Sequence, residues 1–187
     1  MKGYPVGRIG DVVADVHYGT SAKASETGKY IYLRMNNITY EGALDLAEVK
    51  RIDISDDEIE SCIVRNGDVL FNRTNSRDLV GKTCVFDRDE PMVIAGYIIR
   101  LRMNGRVAPE YLSHFMNTQY AKQLLLGMAK GAVGQANINA KELQSIKIII
   151  PPMDEQKQFL ALVRQSDKSK YLLMNGQQFF KSNCGLK

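Results

Sequence analysis

Alternation of apolar and polar positions predicts a series of short strands along the first 150 residues. The segments are rich in β-branched and aromatic residues and carry the period of two that suits a half-buried strand. The predicted strands are residues 30–34, 69–71, 82–86, 97–103 and 147–150. The last one ends at Pro151-Pro152, because proline has no N–H to donate to a strand ladder.

Helical spacing and capping signals predict three helices before residue 150. Ser55 followed by Glu58 matches a capping box and predicts a short helix. Pro109 suits the first turn of one longer helix. Asn139 is a favourable N-cap for another short helix. The apolar face of the longer helix consists of Leu112, Phe115, Met116, Tyr120, Leu124 and Leu125.

The pattern changes after Pro152. Residues 153–180 contain no proline and a single glycine, Gly176, which is expected to interrupt a helix. Asp154 and Glu155 lie in the first turn, where they complement the helix dipole. The later half is polar and makes a poor coiled-coil seam.

These elements together predict an α+β fold in two parts. Residues 1–150 are expected to form a twisted β-sheet with small flanking helices, and residues 151–187 a projecting C-terminal helix.

Composition is that of a folded domain, with 44% hydrophobic and 25% charged residues. The 25 basic and 21 acidic residues give a net charge of +4, which permits an anionic partner without demonstrating one. Acidic residues concentrate in 41–60, whereas 101–147 and the surroundings of Arg73 and Lys82 are basic. This uneven distribution predicts one positive face.

Cysteine and histidine usage predicts neither a disulfide framework nor a metal site. The three cysteines have no paired spacing, and His17 and His114 lie far apart without a cysteine at ligand spacing. The N-terminus lacks the apolar core of a signal peptide, and no apolar run approaches the about 20 residues that span a bilayer. A cytoplasmic protein without membrane contact is expected.

Two short motifs resemble parts of enzymes but lack residues that the enzyme motifs require. The G-K-T sequence at 81–83 resembles the end of a phosphate-binding loop, yet Ser76 stands where that loop needs glycine. The P-P pair at 151–152 resembles the catalytic loop of adenine methyltransferases. Ile150 and Met153 replace the residues that would hold and stack on the target base. We therefore expect no catalytic centre and no cofactor.

Four polar segments have the composition of nucleic-acid-binding loops. They are residues 18–23, 34–38, 72–77 and 130–139. Arginine and lysine neutralise phosphates or fork onto guanine, and asparagine and glutamine pair with adenine. Ordinary turns use the same residue types, so each segment alone is open to either interpretation.

Four stretches, in order, resemble the specificity subunit of type I restriction–modification systems. The most specific is Q-A-N-I at 135–138 in combination with I-P-P-M-D-E-Q at 150–156. The others are G-T-S-A-K at 19–23 with Y-L-R-M-N-N-I at 32–38, and N-G-D-V-L-F-N-R at 66–73 with V-G-K-T at 80–83.

The resemblance implies a non-catalytic role in DNA recognition. Such subunits carry two target-recognition domains, each of which reads half of a bipartite site in double-stranded DNA. Helices between the domains dock the methyltransferase subunits, and the restriction subunit joins the complex. Residues 1–150 would then be one target-recognition domain, and 151–187 a spacer or dimerisation helix. Two copies paired through that helix would rebuild the two-fold arrangement.

The resemblance and the loop composition together assign DNA contacts to ten residues. These are Thr20, Ser21, Lys23, Arg34, Asn36, Arg73, Asn75, Lys130, Gln135 and Asn137. Arg34 and Arg73 could instead pair with the acidic segment, and Gln135 and Asn137 could bond loop backbone.

Three functional classes stay open. The first is DNA recognition by a half-subunit. The second is a protein-interaction module, or a degenerate fragment, that docks a methyltransferase without reading DNA. The third, a self-sufficient methyltransferase, requires binding of S-adenosylmethionine by the chain alone.

Overall fold

The computed structural model describes residues 3–76, 79–129 and 136–183, with side chains up to residue 169. It divides the chain into two units, Met1–Ile150 and Pro151–Lys187.

Twelve strands lie in the described part of the first unit, most of them two to four residues long. They are β1 (Val6–Arg8), β2 (Val13–Tyr18), β3 (Tyr30–Leu33), β4 (Lys50–Ile52), β5 (Ile63–Val64), β6 (Val69–Asn72), β7 (Thr74–Asn75), β8 (Thr83–Val85), β9 (Met92–Ile94), β10 (Ile98–Met103), β11 (Ala136–Asn137) and β12 (Lys147–Ile149). The five predicted strands are confirmed as β3, β6, β8, β10 and β12. Most of the other seven are too short to show an alternation.

Five α-helices lie in the described residues. They are α1 (Asp56–Cys62), α2 (Pro109–Met116), α3 (Gln119–Met128), α4 (Ala140–Ser145) and α5 (Met153–Asn183). Ser55 is the N-cap residue of α1, but its side chain makes no capping hydrogen bond. The helix start predicted there is correct, but the predicted capping box is wrong because its hydrogen bond from Ser55 is not formed. Asn139 does cap α4, since its side chain accepts from the Glu142 N–H at 2.9 Å.

The single long helix predicted from Pro109 is wrong, because the chain forms two helices there. Helix α2 ends at Met116, and Thr118 caps α3 by accepting a hydrogen bond from the Ala121 N–H at 3.2 Å. Between them, the Asn117 amide donates to the Thr83 carbonyl at 2.8 Å. The break is therefore anchored to strand β8.

The strands form two four-stranded sheets instead of the one predicted sheet. The first is antiparallel, in the order β2-β10-β6-β8. Its two faces are both buried: Phe71 packs in the cluster that contains Leu112 of α2 and Leu125 of α3. The neighbouring Leu70 packs in a second cluster that contains Leu33 and Ile94 of the other sheet.

The second sheet has the order β4-β3-β9-β5 and is mixed. Strands β3 and β9 run parallel, with Tyr32 opposite Val93, and their neighbours are antiparallel. The unit is thus layered, with helices on one face of the first sheet and the second sheet on the other. Burial of the two clusters supplies the main stabilising term, at roughly 25 cal/mol per Å² of apolar surface.

Two short ribbons join distant parts of the chain. Strand β1 pairs with β12, and β7 pairs with β11. In the second ribbon Thr74 lies opposite Asn137, and Asn75 lies opposite Ala136. The polar segment that follows β6 is therefore brought beside the segment that precedes α4.

The second unit contains the 31-residue helix α5. At 1.5 Å per residue, its length is about 46 Å. The helix continues through Gly176, so the predicted interruption there is wrong. Within the described ranges, no helix combines the length and the apolar character needed to cross a bilayer. Cys62 and Cys84 are both buried and free.

Candidate nucleic-acid interface

An open cleft of about 890 Å³ lies on the first unit, and polar residues from separate segments line it. Seven of the ten predicted contact residues are in its wall: Thr20, Ser21, Lys23, Arg34, Asn36, Arg73 and Asn137. Asn75 is on ribbon strand β7 but not among the lining residues. Lys130 and Gln135 lie outside the described residues.

The first wall is the loop that follows β2. The Thr20 N–H donates to the Ile94 carbonyl at 2.9 Å, and the Gly96 N–H donates to the Thr20 carbonyl at 2.8 Å. Gly19 precedes this contact, and a Cβ there would overlap the carbonyl oxygens of Ile94 and Ala95. Glycine is therefore required for the loop to lie against the end of β9.

The Thr20 side chain is committed to the protein. It is only 4% exposed, and its hydroxyl donates to the Glu58 carboxylate at 2.5 Å while accepting from the Ala22 N–H at 3.0 Å. The Tyr32 hydroxyl donates to the Thr20 and Ala22 carbonyls at 3.0 and 3.2 Å. Burial raises the pKa of Tyr32, so this phenol stays a donor. Thr20 thus shapes the wall, and the exposed Ser21 and Lys23 are available beyond it.

The second wall is the bend after β3. The Arg34 N–H donates to the side-chain oxygen of Asn37 at 2.9 Å. The Asn37 amide in turn donates to the carbonyls of Asp45 and Glu48, each at 2.9 Å. Asn37 is 2% exposed and holds the bend, whereas Asn36 is exposed to the cleft. Neighbouring asparagines therefore have different roles.

The floor of the cleft contains Arg73, which follows β6. Its N–H donates to the Tyr97 carbonyl and its carbonyl accepts from the Ile138 N–H, both at 2.9 Å. The guanidinium lies over the ring of Tyr18, 4.9 Å from the centroid. Beside it, the Thr74 hydroxyl donates to the Asn137 side-chain oxygen at 3.2 Å.

Neither Arg34 nor Arg73 forms an ion pair with a carboxylate that the structure describes. The Nε atom of each is buried and lacks a hydrogen-bond partner within the same residues. Pairing with the acidic segment, the alternative left open by the sequence, is therefore not what the described residues show. By contrast, Arg100 bonds the Asp15 carboxylate at 2.7 Å. The two cleft arginines thus have no counter-charge among the residues that the structure describes.

The G-K-T motif at 81–83 is not a phosphate loop in the structure. Lys82 is 7% exposed, and its ammonium donates to the Met35 carbonyl at 2.6 Å. Burial lowers its pKa. Among the described residues, no group of three or more His, Cys, Asp or Glu side chains could hold a metal ion.

The sequence does not identify two tyrosines in or beside the cleft as contact residues, although Tyr18 begins one of the four polar segments. Tyr97 lines the cleft with 47% of its surface exposed, and Tyr18 lies beneath Arg73 with 42% exposed. Each lies at the end of a predicted or actual strand, where an aromatic residue is typical of the core. Their exposure is the signal that distinguishes them, and it is visible only in the fold.

The architecture and cleft can be compared with known proteins. A family model described as "Type I restriction modification DNA specificity domain" matches residues 1–178. The chain belongs to this family. The family predicted from the sequence is thereby confirmed, as is the α+β fold class.

Curated relatives of this specificity domain are longer than it is. A protein named as the MjaX specificity subunit of a type I restriction enzyme, from Methanocaldococcus jannaschii, is 27% identical over 88% of this chain and 39% of that protein. The type I restriction enzyme EcoKI specificity subunit of Escherichia coli is 25% identical over 82% of this chain and 34% of that protein. The domain thus spans between a third and two-fifths of these relatives.

Solved structures share the fold of the specificity domain. One, from work on assembly and conformational transition of the type I R-M system, has a TM-score of 0.68 at 20% identity, over 97% of this chain and 43% of that chain. The HsdS subunit from Thermoanaerobacter tengcongensis has a TM-score of 0.62 at 21% identity, over 94% of this chain and 40% of that chain.

Proposed function

We propose that the specificity domain binds double-stranded DNA through the cleft and reads part of a target sequence for partner methyltransferase and restriction subunits. The observation that carries the proposal is the convergence of seven predicted contact residues on one cleft that includes two arginines with no carboxylate partner in the described residues. A cationic cleft with fixed amide and guanidinium donors matches the phosphates and base edges of a duplex.

The cleft residues differ in how firmly the protein holds their side chains, and this suggests different roles. Lys23 is on an exposed loop and suits a phosphate, because a mobile ammonium acts as a point charge. Asn36 and Asn137 carry amides that can pair with adenine. We infer that Thr20 contributes through the shape of the wall, since its hydroxyl is engaged inside the protein.

We infer that the chemistry of restriction and modification lies in partner subunits, because the relatives are named as specificity subunits of restriction enzymes. The domain spans less than half of each relative, so a second recognition unit is needed to read a bipartite site. Two copies joined through α5 would supply it with two-fold symmetry. Residues 1–150 would recognise DNA, and 151–187 would act as spacer. From the proposed binding to DNA we infer a cytoplasmic location.

The first test is duplex binding by the full chain, measured by fluorescence anisotropy with a randomised duplex library. If about 6–10 phosphates are contacted, affinity should fall about 10³–10⁵-fold between 50 and 200 mM salt. Arg34→Gln is expected to weaken binding, and to reduce the salt slope by about 1 if Arg34 contacts phosphate.

Arg88→Gln is the matched control, because it removes the same charge from a half-exposed arginine outside the cleft lining. Its affinity should stay close to that of the wild type. If the wild-type chain retains no duplex at low salt, the interaction-module alternative replaces this proposal.

A further inference from the structure

Tyr18 is anchored at both ends although it lies at the surface. Its backbone belongs to β2, and its hydroxyl accepts a hydrogen bond from the Ala140 N–H at 2.8 Å. Ala140 is the first residue of α4, where a helix leaves N–H groups without intrahelical partners. The ring is therefore a fixed platform, and the Arg73 guanidinium lies 4.9 Å from its centroid.

Arg73 is constrained beyond this stacking. Both its backbone N–H and its carbonyl are hydrogen-bonded, to Tyr97 and Ile138, and its Nε is buried without a partner in the described residues. Because Nε is buried, a ligand in the cleft would have to bond the two terminal amino groups of the guanidinium. This arrangement presents a pair of donors with little freedom to reorient.

The neighbouring side chain adds further donors. Asn137 uses its side-chain oxygen to accept from Thr74, which leaves its amide N–H groups for a ligand. Arg73 has donors only. The complementary ligand edge must therefore carry acceptors. In duplex DNA, adjacent acceptors occur at guanine N7 and O6 in the major groove, and on phosphate.

We propose that Tyr18 positions Arg73 for bidentate recognition of a guanine edge, so that the pair supplies sequence specificity as well as charge. This inference rests on the proposed DNA-binding function. A phosphate contact requires a positive charge, which a mobile solvated side chain provides without stacking or desolvation of Nε. Bidentate base recognition depends on the plane and direction of the guanidinium, and a rigid platform fixes both.

The experiment uses the full chain and its Arg73→Lys, Tyr18→Leu and double variants. Each is put through selection from a randomised duplex library, followed by affinity measurements on duplexes that change one base pair at a time. The wild type is expected to prefer guanine at one position by about 5-fold to 150-fold, the range of a good bidentate contact.

Arg73→Lys keeps the charge but replaces the planar pair of donors with a single flexible ammonium, so the preference at that position should fall while the preferences at other positions persist. Tyr18→Leu should relax the same position. The double variant should relax it no further than Arg73→Lys, because both substitutions act through one guanidinium. Tyr18→Phe keeps the ring but loses the hydroxyl that holds it to the Ala140 N–H, so it should retain more of the preference than Tyr18→Leu and less than the wild type.

Thermal melting of all variants separates loss of fold from loss of readout. The inference is overturned if Arg73→Lys leaves every base preference unchanged, if it lowers affinity equally for all sequences, or if Tyr18→Leu acts at a different position. Each of these outcomes requires duplex binding by the wild type, so each leaves the proposed function standing. Absence of wild-type binding removes the proposed function itself.

Discussion

Gly19 determines how closely the first wall of the cleft approaches strand β9. A Cβ at this position would overlap the carbonyl oxygens of Ile94 and Ala95, which are backbone atoms that no side-chain rotation can move. We expect Gly19→Ala to lower the free energy of unfolding by about 1–3 kcal/mol, the range typical of overpacking. Urea denaturation of the two proteins measures the difference.

Gly127→Ala is the control for this substitution, because it adds the same methyl group where nothing lies within 4 Å. Gly127 is in α3, and alanine there should raise stability by up to about 1 kcal/mol. Equal stability of wild type and Gly19→Ala would mean that the loop can retreat from β9.

At the level of single residues, the sequence predicts which positions surround the cleft better than what each does there. Arg, Asn and Lys in glycine-containing loops indicate a polar surface, and most of those described do line it. Thr20 differs because its hydroxyl bonds Glu58, a partner 38 positions away. Tyr18 begins a predicted polar segment, but the hydrogen bond that fixes its ring is not predictable because its partner Ala140 lies 122 positions away. Local pattern contains no information on such distant contacts.

Helix α4 depends on a capping box that α1 lacks. The Asn139 side chain accepts from the Glu142 N–H, and the Glu142 carboxylate accepts from the Asn139 N–H at 3.0 Å. We expect Asn139→Ala to cost about 1 kcal/mol of unfolding free energy, the usual cost of a lost N-cap. Thermal or urea unfolding monitored by circular dichroism measures it.

Ser55→Ala is the paired control, since the Ser55 side chain makes no capping bond to α1. It should change stability by a few tenths of a kcal/mol, roughly the size of an ordinary surface substitution. A cost for Ser55→Ala as large as that for Asn139→Ala would contradict the difference between the two caps.

At the level of elements, the sequence predicts which helices and strands exist better than it predicts where they end and which strands pair. Apolar spacing is continuous from Leu112 to Leu125, so it cannot show that Thr118 starts a new helix. Pairing is set by the tertiary structure, as in the parallel contact of β3 with β9, which joins Tyr32 to Val93. Strands of two or three residues lack the length in which an alternation is detectable.

Lys122 makes the stability of the whole domain depend on pH. Its ammonium donates to the Gly81 carbonyl at 2.9 Å and lies 5.2 Å from the Tyr40 ring centroid. Burial, with a smaller contribution from Lys82, lowers its pKa to about 8. Between pH 8 and 10.5 Lys122 is therefore protonated in the unfolded chain and neutral in the folded chain. Its contribution to the free energy of unfolding rises with pH across this window.

Lys122→Met removes the titration, while the Thr83 hydroxyl still donates to the Gly81 carbonyl. The unfolding free energy of the wild type minus that of Lys122→Met should increase by on the order of 2 kcal/mol across this window. Urea unfolding at closely spaced pH values measures it, and the subtraction cancels the titration of other groups. A difference that stays flat or falls with pH would contradict the buried environment of Lys122.

The positive charges of the folded molecule are not distributed as the sequence predicts. The sequence indicates a positive face that includes the surroundings of Lys82, yet Lys82 is buried and bonds a backbone carbonyl. Arg100 is 1% exposed and is neutralised by Asp15. The cationic character of the cleft therefore comes from a few arginines and lysines, such as Arg34 and Arg73, that the fold leaves unpaired in its described part.

The ribbon of β7 and β11 has a consequence for how this domain can change its target. It ties Thr74 to Asn137 by backbone pairing and by a side-chain hydrogen bond, across 63 positions of sequence. The two proposed contact loops thus share one scaffold, and replacing either alone leaves the other with a mismatched partner. New sequence preferences should then arise by joint exchange of both loops, so that target choice evolves in blocks rather than one amino acid at a time.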